Sequence, residues 1–364
     1  MEGAAPIRIM GTGPVSLLLR GLLAREGFGP NELACDPVPD TLPPWLGQRA
    51  IALSLGSWQL LGRVAPLPPA AAITAVEVSL RGAAGRTRLG AGELTAPALG
   101  HVVRYEALHR RLREAIAGPG SQPAADGDPT DPDGQPPAVT IVADGDPGAD
   151  SQVRDFGQAA LLATIRVSRP RAGTAFERFT DEGPLALLPL PENRLWSLVW
   201  CAPTELSRQR RELPAEALAA LLEARFGAAL GRLEVCDTPH LAPLQRRLRT
   251  EPASGTRLAI GNAAQALHPV AGQGMNLGLR DAFVLAGMLG EARRRGRPLA
   301  DTLPEYVRAR RSDRKLTVGV TDLLATVFTQ PLLHPLQSLA LGVLDLAGPA
   351  RRALARGFMF GLRD

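Results

Sequence analysis

Lysine is almost absent from this chain: Lys315 is the one lysine among 41 basic residues. Aromatics make up only 4% of the residues, and no basic block is interleaved with them, which excludes a nucleic-acid face despite a net charge of +5. Cysteine is scarce too. Cys35, Cys201 and Cys236 lie far apart without a CxxC, so neither a disulfide framework nor a zinc site is expected, and a reducing cytoplasm fits. His101, His109, His240 and His334 have no ligand-like spacing, and no Ser/His/Asp arrangement stands out, so no metal is expected. The apolar C-terminal run "PLLHPLQSLALGVLDLAG" is broken by His334, Pro335, Gln337 and Asp345, which speaks against a spanning helix. An ordinary packed helix is preferred there over a helix pair lying on a membrane surface. "MEGAAPIRIM" lacks the charged-then-apolar pattern of a signal peptide, so a cytoplasmic place is expected, with peripheral contact to the inner membrane left open.

What is present is a soluble, globular composition: 45% apolar and 21% charged over 364 residues, long enough for two or three structural units. "IRIMGTGPVSLLLRGLLARE" reads as a strand, a turn through Gly11 and Gly13, and an apolar helix, followed by a strand in "NELACDP" ending at Asp36. That order is the one expected of a dinucleotide-binding unit, with Ser16 in the third glycine position. "RAIALSLGSWQLLGRV" reads as a loop and helix, "AVEVSLRG" and "GRTRLGAGEL" as strands, and "RYEALHRRLREAIAG" as an amphipathic helix. Gly118 to Pro137 has no core-forming residues and reads as a flexible loop. "AVTIVADG" is a buried strand with an Asp-Gly stop, and "QAALLATIRV", "TAFERFT", "PLALLPLP" and "RLWSLVWCA" form a run of strands. The alternation of these units argues for interleaved domains.

"GNAAQALHPVAGQGMNLGLRDA", Gly261 to Ala282, is the densest stretch. Leu277, Val284, Leu285, Met288 and Leu289 recur at helical spacing, which places "AGQGMN" at a helix N-terminus whose free N–H groups suit an anionic or electron-rich oxygen edge. A glycine turn that only lets the helix pack would explain this stretch alone.

The stretch "RLAIGNAAQALHPVAGQGMNLGLRDAFVLAGML", with "GTGPVS", "RAIALSLGS", "VADG", "FGQAALLATIRV", "GTAFERFTDEGPLALLPLP" and "SLVW" in order, resembles the aromatic hydroxylases of ubiquinone biosynthesis, most of all the 2-polyprenyl-6-methoxyphenol hydroxylase subgroup. The resemblance covers most of the chain to about Ala325. It implies an α/β, FAD-binding Rossmann-like fold of the p-hydroxybenzoate hydroxylase type, with an interleaved antiparallel-sheet substrate domain and C-terminal helices. The expected division is residues 1–60, 97–155 and 255–300 for FAD, 61–96 and 156–254 for substrate, and 301–364 as a helical region. By the same resemblance, Gly11 and Gly13 would flank the FAD pyrophosphate, Asp36 would hold the adenosine ribose, and Arg49 would contact the phosphate or ribityl part. Asn262 would hold ribityl hydroxyls, and Pro269, Gly272, Gln273, Gly274, Met275 and Asn276 would line the flavin ring. Pro269, Gly272 and Gln273 stand at its reacting end, while the "HP" pair gives His268 a backbone-shaping reading. Phe176, Leu188, Pro189 and Leu190 would line the substrate roof.

The implied reaction uses NAD(P)H and O2 to hydroxylate a polyprenylated phenol through a C4a-hydroperoxyflavin. Ser16, the loop from Gly118 and the abbreviated "DGDPGADSQVR" depart from the family pattern. They motivate a second reading, a trimmed member acting as an accessory or assembly subunit beside other ubiquinone-pathway enzymes. An oxidoreductase for an unrelated aromatic is a third.

Overall fold

The alternation Ile7, Ile9 and the run Leu17, Leu18, Leu19, Leu22, Leu23 bury completely or nearly so, and they build the first layer of the molecule. In the computed structural model, residues 7–81, 86–117, 137–145, 147–148, 150–268, 272–327, 345 and 347–361 are described. The first part of the chain runs β1 (Ile7–Met10), α1 (Pro14–Arg25), β2 (Leu33–Cys35), α2 (Pro44–Gly47), β3 (Ala50–Ser54), α3 (Leu55–Leu61), β4 (Ala71–Ile73), β5 (Ala75–Leu80), β6 (Arg86–Gly90), β7 (Gly100–Arg104) and α4 (Tyr105–Ile116). Next come β8 (Val139–Val142), β9 (Ser151–Val167), β10 (Thr174–Thr180), β11 (Gly183–Pro189), β12 (Leu195–Pro203), α5 (Thr204–Arg211) and α6 (Ala215–Phe226). The remainder is β13 (Leu233–Val235), β14 (His240–Arg249), β15 (Ala253–Ser254), β16 (Arg257–Ala259), β17 (Gln265–Ala266), α7 (Gln273–Arg294), α8 (Thr302–Val327) and α9 (Gly348–Phe360).

Among the described residues these strands form a five-stranded sheet in the order β15-β16-β8-β1-β2, a small sheet β3-β7-β4, and a nine-stranded sheet. In the first, β1 runs parallel to β2 and β8, and β8 parallel to β16, so the turns after β1 and β8 open at the same sheet edge. Leucines of α1, α4 and α7 cover that sheet. The large sheet follows β17-β14-β9-β12-β11-β10-β5-β6, with β13 also on β9. Its pairings are antiparallel except that of β10 with β5. One face packs Leu185, Leu187 and Trp200 against Leu218 and Leu222 of α6. The other turns toward the small sheet and α9, joining Leu188 and Leu190 to Ile73, Val102 and Met359.

"RAIALS" is a strand rather than a loop, because β7 supplies a full antiparallel partner for Ala50–Ser54. The expected boundary at residue 156 falls inside β9, β4 joins the small sheet, and β17 joins the large one. The flexible-loop reading of 118–136 and most of the apolar C-terminal run lie outside the described residues. No described helix is long and apolar enough to cross a membrane.

Candidate functional site

β1 ends in a turn whose glycines are used at once. Gly11 has φ +119, and a Cβ there would lie 2.4 Å from the Asp144 Cβ. That closeness lets the Asp144 carboxylate reach the start of α1, where Thr12 N–H and Gly13 N–H both donate to Oδ2 at 3.1 Å. The positive end of α1 thus already holds a carboxylate, delivered by the strand that lies beside β1. Ser16, completely buried, donates its hydroxyl to the Gly11 carbonyl at 2.7 Å. Arg20 donates to the carbonyls of Gly11 and Asp36 at 2.9 Å. Asp36 accepts the Gly11 N–H at 2.7 Å and pairs with Arg8. Each carboxylate oxygen keeps a further lone pair for a hydroxyl.

Tyr105 opens α4 against this turn: a Cβ on Gly13 would sit 3.4 Å from both the Tyr105 hydroxyl and Asp144 Oδ2. Burial, then the Asp144 charge, push the Tyr105 phenol up to about 12. His109 stacks on Tyr105, and its Nε2 lies 3.0 Å from the Thr12 carbonyl. Burial lowers its pKa, and because a carbonyl can only accept, its Nε2–H donates to that oxygen. Arg49, just before β3, reaches solvent yet is hemmed in enough that desolvation lowers its pKa, with Tyr105 opposing. Among the described residues no hydrogen bond or ion pair engages its guanidinium, which leaves a cation without a counter-ion beside the turn.

The Gly261–Ala263 turn packs onto α1 and α7 together. Gly261 has φ +56, with Val15 and Gly278 as its nearest neighbours, and a Cβ on Gly278 would meet Val15 at 2.8 Å. Asn262 is exposed, and among the described residues its amide has no partner. Gln265 is buried and donates to Asp281 at 2.9 Å, and the Gly261 N–H donates to the same carboxylate at 3.2 Å. Arg310 closes that group on Asp281 at 2.8 Å and on Asp313 at 2.8 Å, and Arg280 bonds Asp313 at 3.0 Å. Burial raises the Asp313 carboxyl, but Arg280 and Arg310 together outweigh it and hold the group below its ordinary value.

Gly272 caps α7 with φ +60. Asn276, buried, accepts the Ser54 N–H at 2.8 Å and donates to the carbonyls of Ala52 and Gly272 at 3.0 and 2.8 Å. Its side chain is therefore spent on stitching the N-terminus of α7 to β3, which leaves its expected ring-lining role to the backbone. Gln273 is buried, while Gly274 and Met275 are half-buried at the same helix start. Pro269 lies outside the described residues. His268 is buried and held neutral, its pKa lowered by burial to about 4, with its ring edge-on to Phe156 at 5.0 Å. Among the described residues no cluster of His, Cys, Asp or Glu could hold a metal.

The four expected roof residues divide by face. Leu188 and Leu190 look toward the small sheet, whereas Phe176 joins the α6 side and Pro189 alternates with Leu188 onto that side. Phe176 thus lies on the face opposite Leu188 and Leu190, because successive strand residues point to opposite faces. The sequence reading also passed over Arg20, Tyr105 and His109. The only signal for Tyr105 was its place at the exact junction of "GHVVR" with the amphipathic helix.

A family description, FAD binding domain, matches residues 148–318. A ubiquinone hydroxylase, UbiL, of Rhodospirillum rubrum is 37% identical over 294 residues, covering 76% of this chain. The chain spans 63% of that protein's length. The 3-demethoxyubiquinol 3-hydroxylase of Escherichia coli is 28% identical over 95% of this chain and 96% of its own. In fold, the chain resembles pqsL, a probable FAD-dependent monooxygenase from Pseudomonas aeruginosa, with TM-score 0.75, 20% identity, and 93% and 99% of the two chains covered. By these matches the chain is similar in sequence to FAD-dependent hydroxylases of ubiquinone biosynthesis and shares the fold of FAD-dependent monooxygenases.

Proposed function

We propose that this chain binds FAD and uses NAD(P)H and O2 to hydroxylate a polyprenylated phenol of the ubiquinone pathway. The observation that carries the reading is the meeting of two helix N-termini, α1 at Gly13 and α7 at Gly272, packed through Val15, Gly261 and Gly278, with Arg49 and Asn262 left to bind. Those residues fit the cofactor. The turn donors that now hold Asp144 suit a pyrophosphate oxygen, Arg49 supplies its counter-charge, Asp36 has lone pairs for ribose, and Asn262 can hold ribityl hydroxyls. The start of α7 offers N–H groups and a helix dipole to the electron-rich edge of the flavin ring. When bound, FAD supplies the reduction by NAD(P)H and the activation of O2. The chain's own residues place the cofactor, keep water from it and hold the phenol under the large sheet, with Leu188 and Leu190 among the roof contacts.

Purified protein supplied with FAD should turn yellow and oxidise NAD(P)H faster when 2-farnesylphenol is added, releasing a hydroxylated product. Protein that stays colourless after reconstitution sinks the reading. The accessory-subunit reading draws on Asp144 occupying the phosphate donors. It requires a wild-type protein without flavin that co-purifies with pathway enzymes.

A further inference from the structure

β10 carries Ala175, Glu177 and Phe179 on one face and Phe176 and Arg178 on the other. Phe176 faces α6. Ala175 packs with Leu188, Leu190, Val102 and Met359, and Phe179 packs with Leu80, Phe156, Leu324 and Ala325. Glu177 therefore lies on the inward face, between these two apolar clusters. Its direct neighbours across the sheet are Val78 and Ala186. Phe156, which borders the same face, touches His268, four residues before the Gly272 cap of α7. Glu177 as a residue is half-buried while its carboxyl is desolvated, and among the described residues no hydrogen bond or ion pair reaches it. A carboxylate without a partner on an otherwise apolar wall is costly unless something completes it.

The geometry points to Glu177 as the group that accepts the phenol hydroxyl of the substrate and takes its proton as the ring is oxygenated. This rests on the hydroxylase reading above. Apolar walls suit the prenylated ring, and one carboxylate among them selects a single hydroxyl donor. As the ring carbon is attacked, the O–H bond breaks, its proton moves to Glu177, and the electron pair flows into the ring. NAD(P)H supplies two electrons and a proton of solvent completes the water that carries off the second oxygen atom of O2. The hydrogen on the attacked carbon leaves as a proton when the ring becomes aromatic again, and Glu177 returns its own proton to the product oxygen.

Burial pushes the Glu177 carboxyl up to about 7, closer to a phenol and so better matched as a base. The titratable groups around it are few. Cys201 on β12 has its thiol raised by burial and by the Glu177 charge. His268 is held neutral. Asp322 of α8 is paired with Arg154 and Arg246.

The test uses FAD-loaded full-length wild type, Glu177→Gln and Glu177→Asp, with 2-farnesylphenol as the probe. Product formation by wild type should rise with pH through about 7. Glu177→Gln should keep its flavin spectrum but lose kcat by about 100-fold or more, and lose the pH limb. Glu177→Asp should restore part of the rate together with the limb. Glu177→Gln with kcat within threefold of wild type, or with an unchanged limb, overturns the assignment alone. Glu177→Gln that raises only KM overturns it in favour of a packing role. Wild type that takes up no FAD overturns the hydroxylase reading and this assignment with it.

Discussion

Arg49 is the residue whose charge has most to gain from a ligand. Its guanidinium is desolvated and without a counter-ion among the described residues, so replacing it removes an anion contact without breaking an internal pair. Arg49→Ala should weaken FAD binding by roughly 10–100-fold, the worth of one charge-assisted hydrogen bond, read by flavin fluorescence titration. Arg49→Lys should recover only part, since an ammonium lacks the planar fork. Glu177 makes the opposite bargain. Its folded pKa of about 7 lies above the ordinary 4.5, so the folded state binds the extra proton. Stability from this group is full below the ordinary value and is lost as pH rises through about 7. Glu177→Gln should therefore be more stable than wild type at pH 8, by about 1–3 kcal/mol, with the gap closing at pH 4. Urea melts at the two pH values check this, and an unchanged gap counts against the burial argument. Ser16, in the third glycine position, adds a bond that glycine could not make: its hydroxyl ties the helix to the Gly11 carbonyl.

At the level of elements, the N-terminus of α7 is held by one amide. Asn276 answers Ser54, Ala52 and Gly272, so Asn276→Ala leaves a buried N–H and two carbonyls without their partner. It should cost about 2–4 kcal/mol and loosen FAD, measured by thermal melts with and without cofactor. Unchanged melts in both states would mean that α7 is anchored elsewhere. The helices and most strands were legible from local periodicity, because apolar residues at helical or alternating spacing report a neighbour without naming it. What locality does not carry is partnership. Asp144 reaches the Gly13 turn only because β8 lies beside β1, and β3 becomes a strand only because β7 pairs with it. The same limit applies to Phe176. Both faces of the large sheet are buried, so alternation separates Phe176 from Glu177 without saying what covers either face.

Across the whole molecule, the cofactor side and the sheet side interlock rather than abut. β17 follows directly on the Asn262 turn yet pairs with β14 of the large sheet, and α9 packs against α3 and β3. The carboxylate that sits on the start of α1 has a kinetic meaning in this setting. On the proposed reading, a phosphate of FAD would take over the N–H groups that Asp144 holds, so binding would proceed by exchange. An exchange has a rate set by departure. The observed rate of flavin uptake should level off as FAD concentration is raised, at the frequency with which Asp144 vacates the turn. Stopped-flow quenching of FAD fluorescence would read that plateau, and a rate that climbs linearly without limit would show the turn to be open already.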